Sequence, residues 1–309
     1  MDIKSVKEYL GKDWTAVQEH IASALESDIA LLNSTNESIL SQSGKQLRPM
    51  LALMIARACA GKVEEGSVRY AAAAELLHNA TLLHDDVADG SELRRGKPTI
   101  MSLMGPAVSV LVGDYWLVKA MELILCDSKN DTKAIKIFSK TLSDLAEGEM
   151  LQLQKAQNGD TVEEDYLRII YNKTASLFEA ACVTAALSVG ASEEYMQAAK
   201  DYAVALGLAF QIKDDILEQK ITMPLLGALR NVSEQEQARV RTMVKDIVGK
   251  PELRDEIVAF VKANGGLEYS AFRLNEYVDA AVHALDVLPA STEKECLIKL
   301  AHYTAKRDK

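Results

Sequence analysis

Apolar residues recur three and four positions apart through most of this chain, the spacing of one face of a helix. Val6, Leu10, Trp14, Val17 and Ile21 predict an amphipathic helix over 3–25, and a second is expected over 28–40. Gly44 then breaks the pattern. Pro49 suits the first turn of the next helix, which places Lys45 and Arg48 at a helix N-terminus. A helix beginning near Val68 carries an apolar run into Asp85, Asp86 and Asp89. Further helices are predicted over 107–125, up to 157, from a capping box at Thr161 and Glu164 through the apolar stretch after Lys173, and over 202–218. Four more are expected over 233–248, 252–264, 267–288 and 291–305. No strand alternation, internal repeat or low-complexity linker interrupts this pattern, so the fold class is all-α, a single-domain helical bundle over 1–309.

Composition supports that reading. The 309 residues are 48% hydrophobic and hold only 16 glycines and 6 prolines, so long stretches run without a helix breaker. The net charge of −10 argues against a nucleic-acid partner. Cys59, Cys126, Cys182 and Cys296 have no paired or zinc-like spacing and read as reduced core or near-core residues, consistent with a cytoplasmic protein. The N-terminus has no apolar signal region, and no apolar run reaches the roughly 18 residues of a membrane span.

The chemistry lies in two acidic clusters set on apolar helices. Asp85 and Asp89 are i and i+4 and share a helix face, and Asp86 leans towards the same place. Oxygen ligands with no cysteine nearby suit a hard cation, most naturally Mg²⁺ shared with phosphate oxygens. Arg94 and Arg95 follow at once, the residue type best matched to phosphate. In the second cluster, Gln211, Asp214 and Asp215 sit on the helix marked by Ala205, Leu208, Ala209 and Ile212. Carboxylates in so apolar a helix need a metal or a basic partner. His78 and His84 precede the first cluster, with His84 placed to orient a carboxylate. Each feature alone is also compatible with a solvated surface or a structural role; the two clusters together are not readily explained that way.

Taken as an ordered set, GKQLRP (44–49), DDVAD (85–89) with RRGKPT (94–99), GEMLQL (148–153), KT (173–174) and FQIKDD (210–215) resemble the trans-isoprenyl diphosphate synthases along essentially the whole chain. The resemblance implies an all-α isoprenoid-synthase bundle around a deep central apolar cavity, a homodimer, and a prenyltransferase that joins isopentenyl diphosphate to an allylic diphosphate. It implies that Asp85, Asp86, Asp89 and Asp214 hold Mg²⁺. Arg94 and Lys173 would draw off the leaving diphosphate. Lys45, Arg48, His78 and Arg95 would bind the diphosphate of isopentenyl diphosphate, and Thr174 and Gln211 would lie near the allylic cation. Lys220, in QKIT, resembles the lysine of the family's GKxT and would be a further substrate contact. Ala80 and Thr81, one turn before Asp85, are small where farnesyl-type members carry aromatic bulk. The ATLLHDDVAD context is similar to that of long-chain quinone-tail synthases, so an octaprenyl product is expected, to be passed on to a membrane.

The chain departs from this pattern after Asp214. The family runs on through a loop of about twenty residues, long beside ordinary helix connections. Here DDILEQKITMP leads straight to Pro224, so the loop is either deleted near 216–219 or left out of the chain, the second being the preferred reading. Farnesyl or geranylgeranyl synthases, the catalytic subunit of a two-component synthase, a class I terpene cyclase and a non-catalytic binder of apolar ligands stand as alternatives. The cyclase is disfavoured by FQIKDD and by Lys45, Arg48 and Arg95.

Overall fold

A computed structural model describes residues 3–42, 44–126, 130–247 and 249–307. The described chain is almost entirely helical, and among the described residues the only strands are Leu93–Arg94 and Lys97–Pro98, an antiparallel pair with Arg94 opposite Lys97. It divides into two compact units. One comprises Met1–Phe138, Ala180–Gln197 and Leu288–Cys296; the other comprises Ser139–Glu179, Ala198–Val287 and Leu297–Lys309.

The first unit is built on the helix Glu65–Ala88, which packs against the helices Leu47–Ala60, Pro106–Ile124 and Lys12–Ala24. Ala71 to Ala74 are fully buried, and these small side chains let the neighbouring helices approach closely. Met50 to Ala56 are buried on every face of their helix, as expected for a helix apolar all round. The predicted helix over 3–25 is two helices, Ile3–Leu10 and Lys12–Ala24, divided at Gly11 with φ +55. Both are fixed to the Leu47–Ala60 helix by Arg57, which donates to the Leu10 carbonyl at 2.8 Å and pairs with Asp13.

In the second unit, Leu225, Leu229, Val240, Ile257, Phe260 and Val261 form a buried cluster. It joins the helices Met223–Leu229, Glu234–Asp246 and Leu253–Ala263, the first of which was not anticipated. The helix before Lys173 starts one residue later than its expected capping box. Its cap is made by Asp165, whose carboxylate accepts the Val162 N–H at 3.2 Å, not by Thr161 and Glu164.

The four cysteines are free thiols. Cys182 and Cys296 are buried as expected and Cys59 is half-buried, but Cys126 is exposed just past the helix that ends at Ile124. Burial pushes the Cys59 thiol up to about 11, which leaves it unreactive at neutral pH. Among the described residues no helix is long and apolar enough to cross a membrane.

Candidate active site

In the first unit, the loop ahead of the helix Leu47–Ala60 and the hairpin around Arg95 converge. Arg95 has φ +52 and Gly96 φ +78, the two left-handed residues of a tight hairpin turn. That turn sends the Arg95 guanidinium across Gly44: a Cβ added there would lie 2.2 Å from Arg95 Nη1. Arg48, two residues into the helix, is buried. His78 is held neutral, well below its ordinary range, by burial and then by the positive charges of Arg48, Arg95 and Arg94. Arg48, His78 and Arg95 thus lie close enough to feel one another's charge, with the Arg95 guanidinium over Gly44, the residue before Lys45. Gln46, between Lys45 and Arg48, is left-handed at φ 55 and ψ 50. For a residue with a Cβ this costs about 1–2 kcal/mol.

Asp85 and Asp86 lie in the last turn of the Glu65–Ala88 helix, and Asp89 closes it. Asp89 is exposed, Asp85 half-buried and Asp86 buried. Asp86 is engaged by Arg94, whose Nε and Nη2 reach its Oδ1 at 3.0 and 2.9 Å. The carboxylate beside His84 is Asp114 on the neighbouring helix, 3.2 Å from its Nε2. Ala80 is fully buried, and the Thr81 hydroxyl donates to the His78 carbonyl at 2.8 Å.

The second unit carries the other half of the predicted set. The chain from Glu163 to Ser188 is not one regular helix. Tyr171–Ala175 form a π-helical turn, closed by the Ser176 N–H on the Tyr171 carbonyl. Wide turns of this kind occur often at functional sites, and this one holds Lys173 and Thr174. Glycines admit it from two sides. A Cβ on Gly148 would meet Asn172 Cβ at 2.7 Å, and one on Gly207 would meet Ala175 Cα at 2.6 Å. Lys173 pairs with Glu149 at 2.6 Å and donates to Gln152 at 3.1 Å, both from the GEMLQL segment. Thr174 donates to Gln211 Oε1 at 2.7 Å, and Gln211 Nε2 donates to Asp215 at 2.9 Å.

The two adjacent aspartates have different tasks. Asp215 is buried and also accepts from the Tyr166 and Thr222 hydroxyls, each at 2.8 Å, so it organises the helix end. Asp214 is more open. Burial raises its pKa, against the opposing pull of Arg307. Lys220 pairs with Glu218 at 2.9 Å and lies 3.8 Å from Asp215. The helix Glu193–Leu217 ends in a Schellman closure: Lys220 N–H bonds to the Asp215 carbonyl and Gln219 N–H to that of Ile216, with Gln219 at φ 50. The described backbone is continuous across 216–219, and the next helix starts at Met223.

Among the described residues no three carboxylate, imidazole or thiol groups form a ready-made metal cage. The donors nevertheless fit a hard divalent ion. All are carboxylate oxygens, and Mg²⁺ is commonly held by one or two carboxylates with phosphate oxygens completing the shell. Sequence reasoning missed Arg307, which sits between Lys306 and Lys309 in a charged run with no periodic signal. It also missed Glu75, although an acid within AAAAELL was itself a signal.

The polyprenyl synthetase family model matches residues 29–220, and the chain belongs to that family of trans-prenyltransferases. The octaprenyl diphosphate synthase of Escherichia coli (strain K12) is 37% identical over the whole of both chains. That alignment spans 327 positions against 309 residues here, and 327 − 309 leaves 18 positions without a counterpart in this chain. The crystal structure of a decaprenyl diphosphate synthase from Rhodobacter capsulatus matches with a TM-score of 0.92 at 34% identity, covering all of both chains. A Caulobacter crescentus CB15 polyprenyl synthase complexed with calcium and isoprenyl diphosphate matches with a TM-score of 0.89 at 33% identity, over all of this chain and 98% of that one. The fold is therefore the all-α isoprenoid-synthase fold.

Proposed function

We propose that this protein condenses isopentenyl diphosphate with an allylic diphosphate such as farnesyl diphosphate, repeatedly, to a long all-trans polyprenyl diphosphate, octaprenyl. The observation that carries this reading is the gathering of Arg48, Arg95 and His78, with the Arg95 guanidinium laid over Gly44 beside Lys45. Two arginines gathered in this way suit a diphosphate. The octaprenyl name of the E. coli relative and the calcium and isoprenyl diphosphate of the Caulobacter structure support it.

In this reading Asp85, Asp86, Asp89 and Asp214 hold Mg²⁺, which when bound neutralises the allylic diphosphate and eases its departure. Arg94, Lys173 and Lys220 take up negative charge as the allylic C–O bond breaks and its electron pair leaves with the diphosphate. Thr174 Oγ1 and the Gln211 side-chain oxygen lie close to the developing carbocation and favour it electrostatically. Lys45, Arg48, His78 and Arg95 hold isopentenyl diphosphate so that its double bond attacks the cation. A proton then leaves to the departed diphosphate, and no protein nucleophile is used. An apolar tunnel keeps water from the cation. Ala80 and Thr81 leave room for a long tail. We further assign a cytoplasmic homodimer of one synthase domain per chain. Leu111 and Val118, exposed on one face of the helix Pro106–Ile124, suit contact with a second copy.

The test incubates the protein with farnesyl diphosphate, labelled isopentenyl diphosphate and Mg²⁺, with an EDTA control, and sizes the dephosphorylated products. A Mg²⁺-dependent ladder ending at octaprenol is expected. An endpoint at geranylgeraniol would overturn the roles of Ala80 and Thr81, and no product at all would overturn the reaction.

A further inference from the structure

Beneath the anion-binding loop lie side chains that no motif singles out. Lys7, on the helix Ile3–Leu10, points its Nζ at Gln46 Oε1, 3.4 Å away, and sits 4.6 Å from the centre of the Trp14 ring. Gln46 Nε2 in turn reaches Gln18 Oε1 at 3.4 Å. Gln46 is the left-handed residue between Lys45 and Arg48, and such a conformation persists only where its surroundings hold it. What holds it comes from the two N-terminal helices. Both contacts are long for hydrogen bonds, so the loop keeps some slack.

Glu75 is 5% exposed, on the helix that ends in the first aspartate cluster. Its Oε1 faces Asn79 Nδ2 at 3.4 Å, and its Oε2 has no hydrogen-bond partner. Burial raises its pKa, against the opposing pull of Arg48, Asn79, Lys7 and Arg95. A buried carboxylate is an odd component for a pocket built to bind anions. It makes sense as a counter-charge. Without it, Arg48, Arg95 and Lys7 repel one another; with it, they stay gathered before any anion arrives.

We propose that Lys7 and Glu75 are positioning residues for isopentenyl diphosphate: Lys7 pins the Gln46 loop from the N-terminal helix, and Glu75 keeps Arg48 and Arg95 gathered. The first helix of the chain is thereby part of the substrate site. This rests on the assignment of Lys45, Arg48 and Arg95 to that diphosphate.

Trp14 supplies a readout that a merely structural role would not move. The chain has two tryptophans, and the other, Trp116, is buried with its indole N–H on Asn36 at 2.8 Å. Titration with inorganic pyrophosphate in EDTA should change tryptophan fluorescence saturably in the wild type, and not in Trp14→Phe or Lys7→Met. Lys7→Met and Glu75→Gln should each raise KM for isopentenyl diphosphate about 5- to 10-fold, the worth of one ordinary hydrogen bond, with kcat and the allylic KM unchanged. Lys7→Arg should recover most of the loss. Lys4→Met removes an exposed charge, paired with Glu8, from the same helix without touching the loop, and should leave the isopentenyl KM alone. Wild-type KM in both Lys7→Met and Glu75→Gln, or an equal rise in Lys4→Met, would overturn the proposal. Wild-type protein that shows the Trp14 response yet makes no polyprenol would overturn the assigned reaction while supporting the positioning role.

Discussion

Arg307 meets Asp214 with a single nitrogen: Nη2 donates to Asp214 Oδ1 at 2.6 Å and to the Phe210 carbonyl at 3.0 Å, while the guanidinium lies 3.9 Å from the centre of the Phe210 ring. The carboxylate assigned to metal is therefore already answered by a cation from the end of the chain. Arg307→Met should lower the stability of the metal-free protein by about 1.5 kcal/mol, the low end for a charged hydrogen bond, since Asp214 is partly exposed. Mg²⁺ with pyrophosphate should narrow that gap, because the metal answers the Asp214 charge that the variant leaves unpaired and so binds and stabilises the variant more. Thermal melts of both proteins with and without these ligands would decide it; a gap that ligands leave unchanged would separate Arg307 from the metal site.

Gly44→Ala should damage binding far more than folding. The new methyl would collide with the far end of Arg95, which can swing away at little cost to stability. The displaced guanidinium would then miss its phosphate. A rise in KM for isopentenyl diphosphate of about tenfold is expected, with an unchanged melting temperature and an unchanged allylic KM.

His78 predicts a pH dependence of known sign. Its folded pKa lies well below that of the free side chain, first because it is buried and then because three arginines face it. The unfolded chain takes up a proton near pH 6.5, and the folded protein does not. Stability from this group is present above that pH and is lost as pH falls below it. In urea unfolding, the wild type should lose about 1 kcal/mol more than His78→Gln between pH 7.5 and 5.5. Parallel losses would mean that His78 charges in the folded state.

Gln219→Gly should stabilise the protein. Gln219 sits at the left-handed position of the Schellman closure, where glycine bears no Cβ penalty. A gain of about 1 kcal/mol is expected, read as a higher urea midpoint at constant slope. No gain would mean that the Gln219 side chain makes up the cost of its own backbone.

Most of the helical frame was legible because apolar spacing records burial, and burial is what these helices share. The helix opening around Pro49 and the one carrying the first aspartates were found for that reason, the second starting at Glu65 where Val68 was expected. Gly11 was passed over because the apolar positions on either side keep helical phase across it. Of the site, the nearness of Arg48, His78 and Arg95 was legible, since loop punctuation and residue chemistry point the same way. The pairing of Asp86 with Arg94 and of His84 with Asp114 was not, because sequence spacing does not say which of several charged neighbours a side chain turns to. Arg307 and Lys7 were invisible for a stronger reason: each acts on a segment remote from it in the chain.

The π-helical turn at Tyr171–Ala175 gives this chain an unusual freedom in its reading frame of faces. Removing a residue from a regular helix rotates everything beyond it by about 100° and undoes its packing. A wide turn already contains one residue more than an α-helical turn needs. Loss of one residue there can be absorbed by tightening to ordinary α-helix, so that Glu163–Ile170 and Ser176–Ser188 keep their facings while Lys173 and Thr174 lose theirs. The scaffold and its chemistry are in this sense separately inherited: a single-codon deletion at this turn would leave a folded helical protein, silent as a transferase.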